Sequence, residues 1–528
     1  MPSNQHFRNG PIGLANLPRR HLLLLALLLL VSLGLRLYRL GDQGLFSDEA
    51  KSWAMTRLTF GEILQISPTQ HHVPLYFWLL KAALTIFPST EAGLRAISLI
   101  LSMIALVVLL AFIWSEWSER AALYAGLLLA ISSFDVYYAQ ETRMYTLLSL
   151  LSLISYVALV KALQGKPKWL VPWVLACIAL PWTHFYGFLT LASQMIIVLV
   201  YLVRRQVFGV NEGLGRSWLV AAGAAIAVGV LPMALLLLNR TGTNSQGAVV
   251  PELTHVRDLF RLWTVGLVAV REHFLDTARL TWPLTADVSK AGWILLGAAL
   301  CGAPAVYGMA KAWRMTGTQR IQVSLTLVSI ILPVFVVFAY GSLTGQRIWI
   351  FRPFLGQGYL VYLWAGIGLA SLPQPWLRRG LALAAVIVAI ASLGPYFTIW
   401  QKSDTPIAMA AAARPDERNL MVVEAPFFSP QASFYLDDGT PLMALYWDQT
   451  GAPIFTKLQF LDPKRLLDKV QGRPVPVTCD DIAAATDLWI YGNVRRIRNS
   501  VAKLPPCVQE KRLWVFSKNA WVPLDLPG

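Results

Sequence analysis

The chain has 528 residues, of which 56% are hydrophobic and only 14% charged. Soluble domains average about 25% charged residues, so the composition excludes an ordinary soluble enzyme; 20 Trp and 17 Tyr suit many interfacial belts. A net charge of +16 does not signal nucleic acid, because from Lys402 onward 15 Lys and Arg stand against 14 Asp and Glu, leaving the excess among apolar segments, where it sets topology.

The first apolar run, "HLLLLALLLLVSLGLRLYRL", covers His21 to Leu40 and is long enough to span a bilayer. Arg36 and Arg39 are expected to snorkel outward at its end. No small-residue cleavage site follows it, which favours a retained span over a signal peptide. Just beyond lies "GLFSDEAKSW", residues 44–53, with Asp48, Glu49 and Lys51. Neighbours on a helix point about 100° apart, so only one of the two acids is expected to face a cavity. The segment "PLYFWLLKAALTIF" has fourteen residues and contains Lys81, which suits an interfacial or re-entrant helix better than a span.

Further spans are expected over 96–114, 120–135, 144–161, 169–184, 186–203, 217–239, 291–310, 321–340, 353–372 and 380–399, eleven in all. Residues 169–203 hold no Lys, Arg, Asp or Glu and are too long for one helix, so they divide at "PWTHFYGF", between Pro181 and Gly187. With the N-terminus inside, the inner pieces are short and hold fifteen basic and three acidic residues. The outer pieces before Lys402 spread fifteen basic and twelve acidic residues over a greater length. This density of basic residues favours that orientation. It makes residues 1–399 a membrane domain with outer loops 41–95 and 240–290. It also puts 400–528 outside as a small α/β domain, with strands in "NLMVVEA", "TDLWIYGN" and "KRLWVFSK" and a helix in "DPKRLLDKVQ". Cys177 and Cys301 sit in apolar runs; Cys479 and Cys507 share the polar tail and suit a disulfide in an oxidising compartment. No clustered His and Cys pattern indicates a metal.

Five polar groups fall on the outer face. Beyond Asp48 and Glu49, "SSFDVYYAQETRMY" places Asp135, Gln140, Glu141, Arg143 and Tyr145 between two spans. Charges at such boundaries are costly unless hydrated or paired; Glu141 and Arg143 either neutralise each other, or Arg143 faces a phosphate, whose oxygens its planar fork matches. "QHHVPLYFW" supplies His71 and His72; adjacent histidines splay apart, so hydrogen bonding to a sugar or phosphate is favoured over metal. "THFYG" supplies His184 and Tyr186, and "GQRIWIFRPF" supplies Arg347 and Arg352, the latter nearer the membrane. Each taken alone has a structural reading: a solvated acid, a snorkelling arginine, a packed histidine. Their placement on one face points to an outward-facing active site.

Taken in order, "RLYRL…FSDEA", "HHVPLYFWLLKAAL", "TEAGLRAISLILS", "YYAQETRMYTLL" and "THFYGFLTL" resemble the bacterial members of the dolichyl-phosphate-mannose protein mannosyltransferase superfamily. These are polytopic enzymes of the GT-C fold, often called glycosyltransferase family 39, and include the aminoarabinose lipid A transferases. The resemblance covers residues 30–200, and 340–370 more loosely. Two departures concern loop geometry: His72-Val73-Pro74 where the family often reads His-Pro-Pro, and Arg352-Pro353 where it commonly has Arg-Tyr.

The resemblance implies transfer of a sugar from a polyprenyl monophosphate carrier to a protein, lipid or glycan acceptor. The site would lie at the outer face of the bacterial cytoplasmic membrane, and the transfer would invert the sugar. It implies Asp48 as the carboxylate that orients and deprotonates the acceptor and Glu141 as a second catalytic acid that orients the acceptor, Arg143 or an ion. Arg143 and Arg352 would hold the departing phosphate, and Glu49, His71, His72, Gln140, Tyr145, His184 and Tyr186 complete the expected substrate contacts. No cofactor is implied with certainty; a divalent metal stays open as an alternative, though no motif indicates one. A transporter or flippase is the main rival, but no paired repeat or mid-membrane broken helix is visible. A non-catalytic envelope scaffold is the other rival and would tolerate loss of Asp48; a polysaccharide polymerase or ligase is a chemical neighbour.

Overall fold

The computed structural model describes residues 19–70, 72–208, 214–238, 248–266, 290–315, 317–398, 403, 405–411, 419–424, 428–436, 442–447, 453–458, 478–500, 503–517 and 520–524. The chain forms two compact units. One comprises residues 1–40, 66–76 and 95–400, the other residues 41–65, 77–94 and 401–528. The tail thus shares its unit with most of the loop expected over 41–95.

In chain order the first helices are α1 (Arg19–Leu37), α2 (Ser47–Thr56), α3 (Phe60–Gln70), α4 (Leu75–Ala83), α5 (Glu91–Glu116), α6 (Glu119–Ala130) and α7 (Ser133–Ala139). They continue as α8 (Tyr145–Leu163), α9 (Leu170–Thr183), α10 (Gly187–Arg204), α11 (Arg216–Leu238), α12 (Leu253–Thr264) and α13 (Lys290–Gly297). After a π-helical turn at Ala298–Gly302 come α14 (Ala303–Trp313), α15 (Thr318–Thr344), α16 (Leu355–Ser371) and α17 (Pro375–Thr398).

Among the described residues eight helices are long and apolar enough to cross a membrane, or nine if α6 and α7, bent by 62°, count as one span. All eleven expected segments are helical, but α9 has only 14 residues and α16 only 17. At about 1.5 Å per residue α9 is ~21 Å long, short of the ~30 Å hydrocarbon core. The expected span over 120–135 is broken because Ser132 starts a new helix, its hydroxyl accepting the Asp135 N–H at 3.3 Å. Of the outer loop expected over 240–290, the described residues carry α12; the helix expected in "DPKRLLDKVQ" lies outside them.

The membrane unit is held as its solvent demands. Lipid offers no hydrophobic drive between helices, so close backbone approach and interhelical hydrogen bonds do the work. Helix α16 shows the first: a Cβ on Gly366 would sit 2.5 Å from that of Ala125 in α6, and one on Gly368 would overlap the Pro304 carbonyl of α14. The second runs through the bundle. Trp364 Nε1 donates to Thr326 Oγ1 at 2.7 Å, Trp173 Nε1 to Gln194 Oε1 at 2.7 Å, and Gln194 Nε2 to Ser155 Oγ at 2.6 Å. Cys177 and Cys301 are buried here as free thiols.

Arg36 does not snorkel. It is fully buried, donating from Nη2 to Asp135 Oδ2 at 2.6 Å and from Nε to Ser102 Oγ at 2.8 Å. Ser102 also donates to Asp135 Oδ2 at 2.6 Å, and Tyr359 OH donates to Oδ1. Facing an acid on α7, the guanidinium finds a partner inside the protein, and a paired buried charge costs less than an unpaired one in lipid.

The second unit contains α18 (Thr405–Ala411), β1 (Asn419–Glu424), α19 (Ser429–Tyr435), β2 (Leu442–Trp447), β3 (Pro453–Leu458), β4 (Asp487–Tyr491), β5 (Arg512–Ser517) and β6 (Ala520–Pro523). The sheet order is β3-β2-β1-β4-β5-β6. The inner four strands are parallel and the two edges antiparallel. Parallel strands covered on both faces read as continuous apolar runs, and "LMVV" in β1 does so. Leu420 and Val422 pack with Leu488, Ile490 and Val515 on one face, while Met421 and Val423 pack with Ala444, Tyr491 and Phe516 on the other. Cys479 and Cys507 form a disulfide.

Candidate active site

Asp48 and Glu49 stand in the first turn of α2. They part as helix geometry requires: Glu49 is fully buried, while the Asp48 side chain is 24% exposed and lies 3.9 Å from Lys51. Glu49 Oε2 faces the Phe46 N–H at 3.4 Å, at the helix start. At the other end of α2, Lys81 Nζ donates to the Thr56 carbonyl at 2.8 Å, satisfying a terminal acceptor with a cation.

In the membrane unit the turn between α7 and α8 carries Gln140, Glu141 and Arg143, each buried. The turn is tight, with the Arg143 N–H donating to the Glu141 carbonyl at 2.8 Å. Arg143 Nη2 lies 3.2 Å from His72 Nε2, joining two motifs 71 residues apart in the chain. Gln140 caps α1 instead of opening into a cleft: its Nε2 donates to the carbonyls of Arg36 at 3.0 Å and Tyr38 at 2.8 Å, and its Oε1 accepts from Tyr396 OH at 2.7 Å.

An arc of rings joins this turn to the other predicted positions. Tyr137 contacts Tyr138 at 4.9 Å and Tyr396 at 5.9 Å; Tyr138 meets Tyr145 at 5.3 Å, and Tyr145 meets His184 at 5.9 Å. His184 then meets Tyr186 at 5.3 Å, and Tyr186 meets Phe354 at 5.5 Å. His184 sits at the end of α9, where its Nδ1 accepts the Tyr186 N–H at 3.1 Å. Tyr186 OH donates to the Ile348 carbonyl at 2.6 Å. Arg352 opens the short 3-10 turn Arg352–Phe354, and both it and Glu141 lie within electrostatic reach of Tyr137. His71 lies outside the described residues.

Thus His72, Arg143, Tyr145, His184, Tyr186 and Arg352 belong to one connected region of the membrane unit. Sequence reading missed Tyr137, Tyr138 and Tyr396, which tie the region together. The doubled Tyr137-Tyr138 within its own motif, and the Gly394-Pro395 pair just before Tyr396, were the available signals. Among the described residues no group of His, Cys, Asp and Glu is placed to hold a metal. The arrangement offers a buried guanidinium backed by an imidazole, a nearby carboxylate and aromatic faces, a set that suits an anionic group carried on an apolar chain.

No protein-family model and no curated protein matches the chain. The structure is similar to ArnT from Cupriavidus metallidurans, solved in the apo state and bound to undecaprenyl phosphate. In both comparisons the TM-score is 0.52 at 13% identity, over 81% of this chain and 93% of ArnT. The archaeal oligosaccharyltransferase AglB from Archaeoglobus fulgidus, solved with an inhibitory peptide and a dolichol-phosphate, gives a TM-score of 0.49 at 14% identity. That match covers 79% of this chain and 63% of AglB. The chain therefore has the fold of ArnT, the GT-C type, with a polytopic helical membrane domain and a C-terminal α/β domain.

Proposed function

We propose that this protein is a membrane glycosyltransferase that moves a sugar from a polyprenyl-phosphate-linked donor to a protein, lipid or glycan acceptor. The observation that carries the reading is the buried Arg143, held by His72 beside Glu141 in a turn lined by tyrosines. It supports the reading because lipid does not tolerate such a charge without a task or a partner. The fold shared with ArnT, which was solved with undecaprenyl phosphate bound, adds to it.

In the proposed reaction an acceptor hydroxyl or amine attacks the anomeric carbon while the bond from that carbon to the phosphate oxygen breaks. Asp48 takes the acceptor's proton, the electron pair stays on the phosphate, and the sugar leaves with inverted configuration. Arg143 and Arg352 stabilise the charge that develops on the phosphate; Glu141 orients Arg143 and the acceptor. His72, His184, Tyr145 and Tyr186 are proposed to line the donor's phosphate and sugar. The site faces the outside of the cytoplasmic membrane, with the N-terminus inside and the α/β domain outside.

The test compares membranes lacking the protein with membranes holding wild type or Asp48→Asn at matched levels, their polyprenyl-phosphate sugars being extracted and weighed by mass spectrometry. One such species is expected to accumulate without the protein or with Asp48→Asn, and to be consumed by wild type. An unchanged lipid pool in all three sinks the reading.

A further inference from the structure

The segment just before α2 is gripped by the tail. The Leu45 N–H donates to Tyr435 OH at 2.7 Å, and the Leu45 carbonyl accepts from Gln431 Nε2 at 3.1 Å. Both backbone groups of one loop residue are thus taken by side chains of α19, Gln431 and Tyr435, which lie 386 and 390 residues further along the chain. Gln431 is itself buried and locked in a network: its Nε2 also reaches Ser403 Oγ at 3.3 Å and Thr405 Oγ1 at 3.2 Å. Those hydroxyls bond each other at 2.7 Å, and Thr405 bonds Tyr491 OH at 2.9 Å, at the end of β4. The grip therefore continues into the sheet.

Packing gives an independent sign of the same thing. A Cβ on Gly44 would lie 2.6 Å from Pro406 Cγ and 3.2 Å from the Ser403 carbonyl, so the chain enters α2 through a slot that only glycine fits. Nearly two turns into α2, Trp53 meets Phe434 edge-on at 5.3 Å. A helix start held at Leu45 leaves only Phe46 and Ser47 before Asp48, so a displacement of Leu45 passes almost undiminished to that carboxylate. Displacements of about 1 Å at a reacting group can cost on the order of 100-fold in rate.

We infer that Gln431, with Tyr435, is a positioning residue for Asp48: the α/β domain fixes the entry to α2 and is an integral part of the catalytic apparatus. This rests on the reading of Asp48 as the base. The test uses the full chain and the donor-consumption assay with Gln431→Leu, Tyr435→Phe and Gly44→Ala, each also combined with Asp48→Asn. Alone, each is expected to lower kcat about 10- to 100-fold with KM for the donor within about threefold. In the Asp48→Asn background each is expected to change the residual rate by less than about twofold, because the group being positioned is gone. Tyr435→Phe keeps the ring and guards against a variant that merely unfolds. Wild-type turnover in all three single variants overturns the inference, and so does a loss that multiplies with that of Asp48→Asn. Wild-type turnover in Asp48→Asn alone overturns the role of Asp48, a separate and distinguishable failure.

Discussion

Arg36 and Asp135 form an ion pair 2.6 Å long between α1 and α7, with side chains 0% and 1% exposed. The pair anchors the start of the segment that ends in Glu141 and Arg143. Removing one partner strands the other charge, at a cost of about 3–5 kcal/mol. Asp135→Asn and Arg36→Met are each expected to lower thermal stability in detergent sharply. Arg36→Met combined with Asp135→Leu is expected to lose less than either alone, since no charge is left stranded; a double variant worse than both singles would contradict this.

Replacing Arg143 tests charge against shape. Arg143→Gln is expected to lower kcat by about 100- to 1,000-fold, the scale seen when one stabiliser of developing charge is removed. Arg143→Lys is expected to recover only part of it, because a point charge lacks the planar fork. Single-turnover consumption of the donor lipid separates the two; equal rates for Arg143→Gln and wild type would exclude a role for this residue.

Gly368 lies against the Pro304 carbonyl with no room for a Cβ. Gly368→Ala is expected to force α14 and α16 apart and destabilise the membrane unit by about 1–3 kcal/mol. Gly380, whose Cβ would meet nothing within 4 Å, serves as the control: Gly380→Ala is expected to leave the melting temperature unchanged or slightly raised.

Asp487 gives the α/β domain an acid sensitivity. Burial pushes its carboxyl up. Hydrogen bonds from Trp514, Thr486 and Arg512, with the charge of Arg512, outweigh this and hold it below the ordinary aspartate value. Trp514 Nε1 donates at 2.8 Å, and Arg512 at 2.7 Å from a side chain that is 72% exposed and therefore screened. A depressed folded value means the stabilisation is present above the unfolded value of about 4 and is lost as the pH falls through the folded one. Asp487→Asn is expected to speed amide exchange across β4 and β5 at pH ~6, corresponding to about 1–3 kcal/mol, and to match wild type once the acid is protonated. Hydrogen exchange followed by mass spectrometry reads this directly.

The Cys479–Cys507 bridge closes a loop of 28 residues. Constraining the unfolded chain over that length is worth about 3–4 kcal/mol. The full-length double variant Cys479→Ser/Cys507→Ser is expected to show faster proteolysis between β4 and β5 while the membrane helices stay protected. Identical digestion patterns would show that the bridge contributes little.

The sequence carried much of the membrane unit because each of its signals is local. Helices α5, α8, α10, α15 and α17 follow from apolar length alone, and β1, β4 and β5 from short β-rich runs between polar breaks. Helix geometry likewise predicts that Asp48 and Glu49 point apart, and in α2 the first is half-buried and the second fully buried. Where partners are distant, local reading failed. Arg36 looks like a snorkelling end-of-span arginine until α7 supplies Asp135, and nothing local to Gln140 foretells that its amide meets carbonyls at the end of α1 and the hydroxyl of Tyr396.

What the sequence determined by itself was where the apolar segments lie, the polytopic helical class, the α/β tail and the motifs that carry the resemblance to the GT-C enzymes. These depend on composition, period and turn residues within about twenty positions. Only the tertiary structure decided which polar side chains are bound up holding helices together, as Asp135 is by Arg36, and which gather in the region around Arg143. It alone also placed α19 against the entry to α2. Those outcomes depend on contacts tens to hundreds of residues apart, such as Gln431 to Leu45, and no periodicity within the chain encodes which distant carbonyl a buried amide will meet.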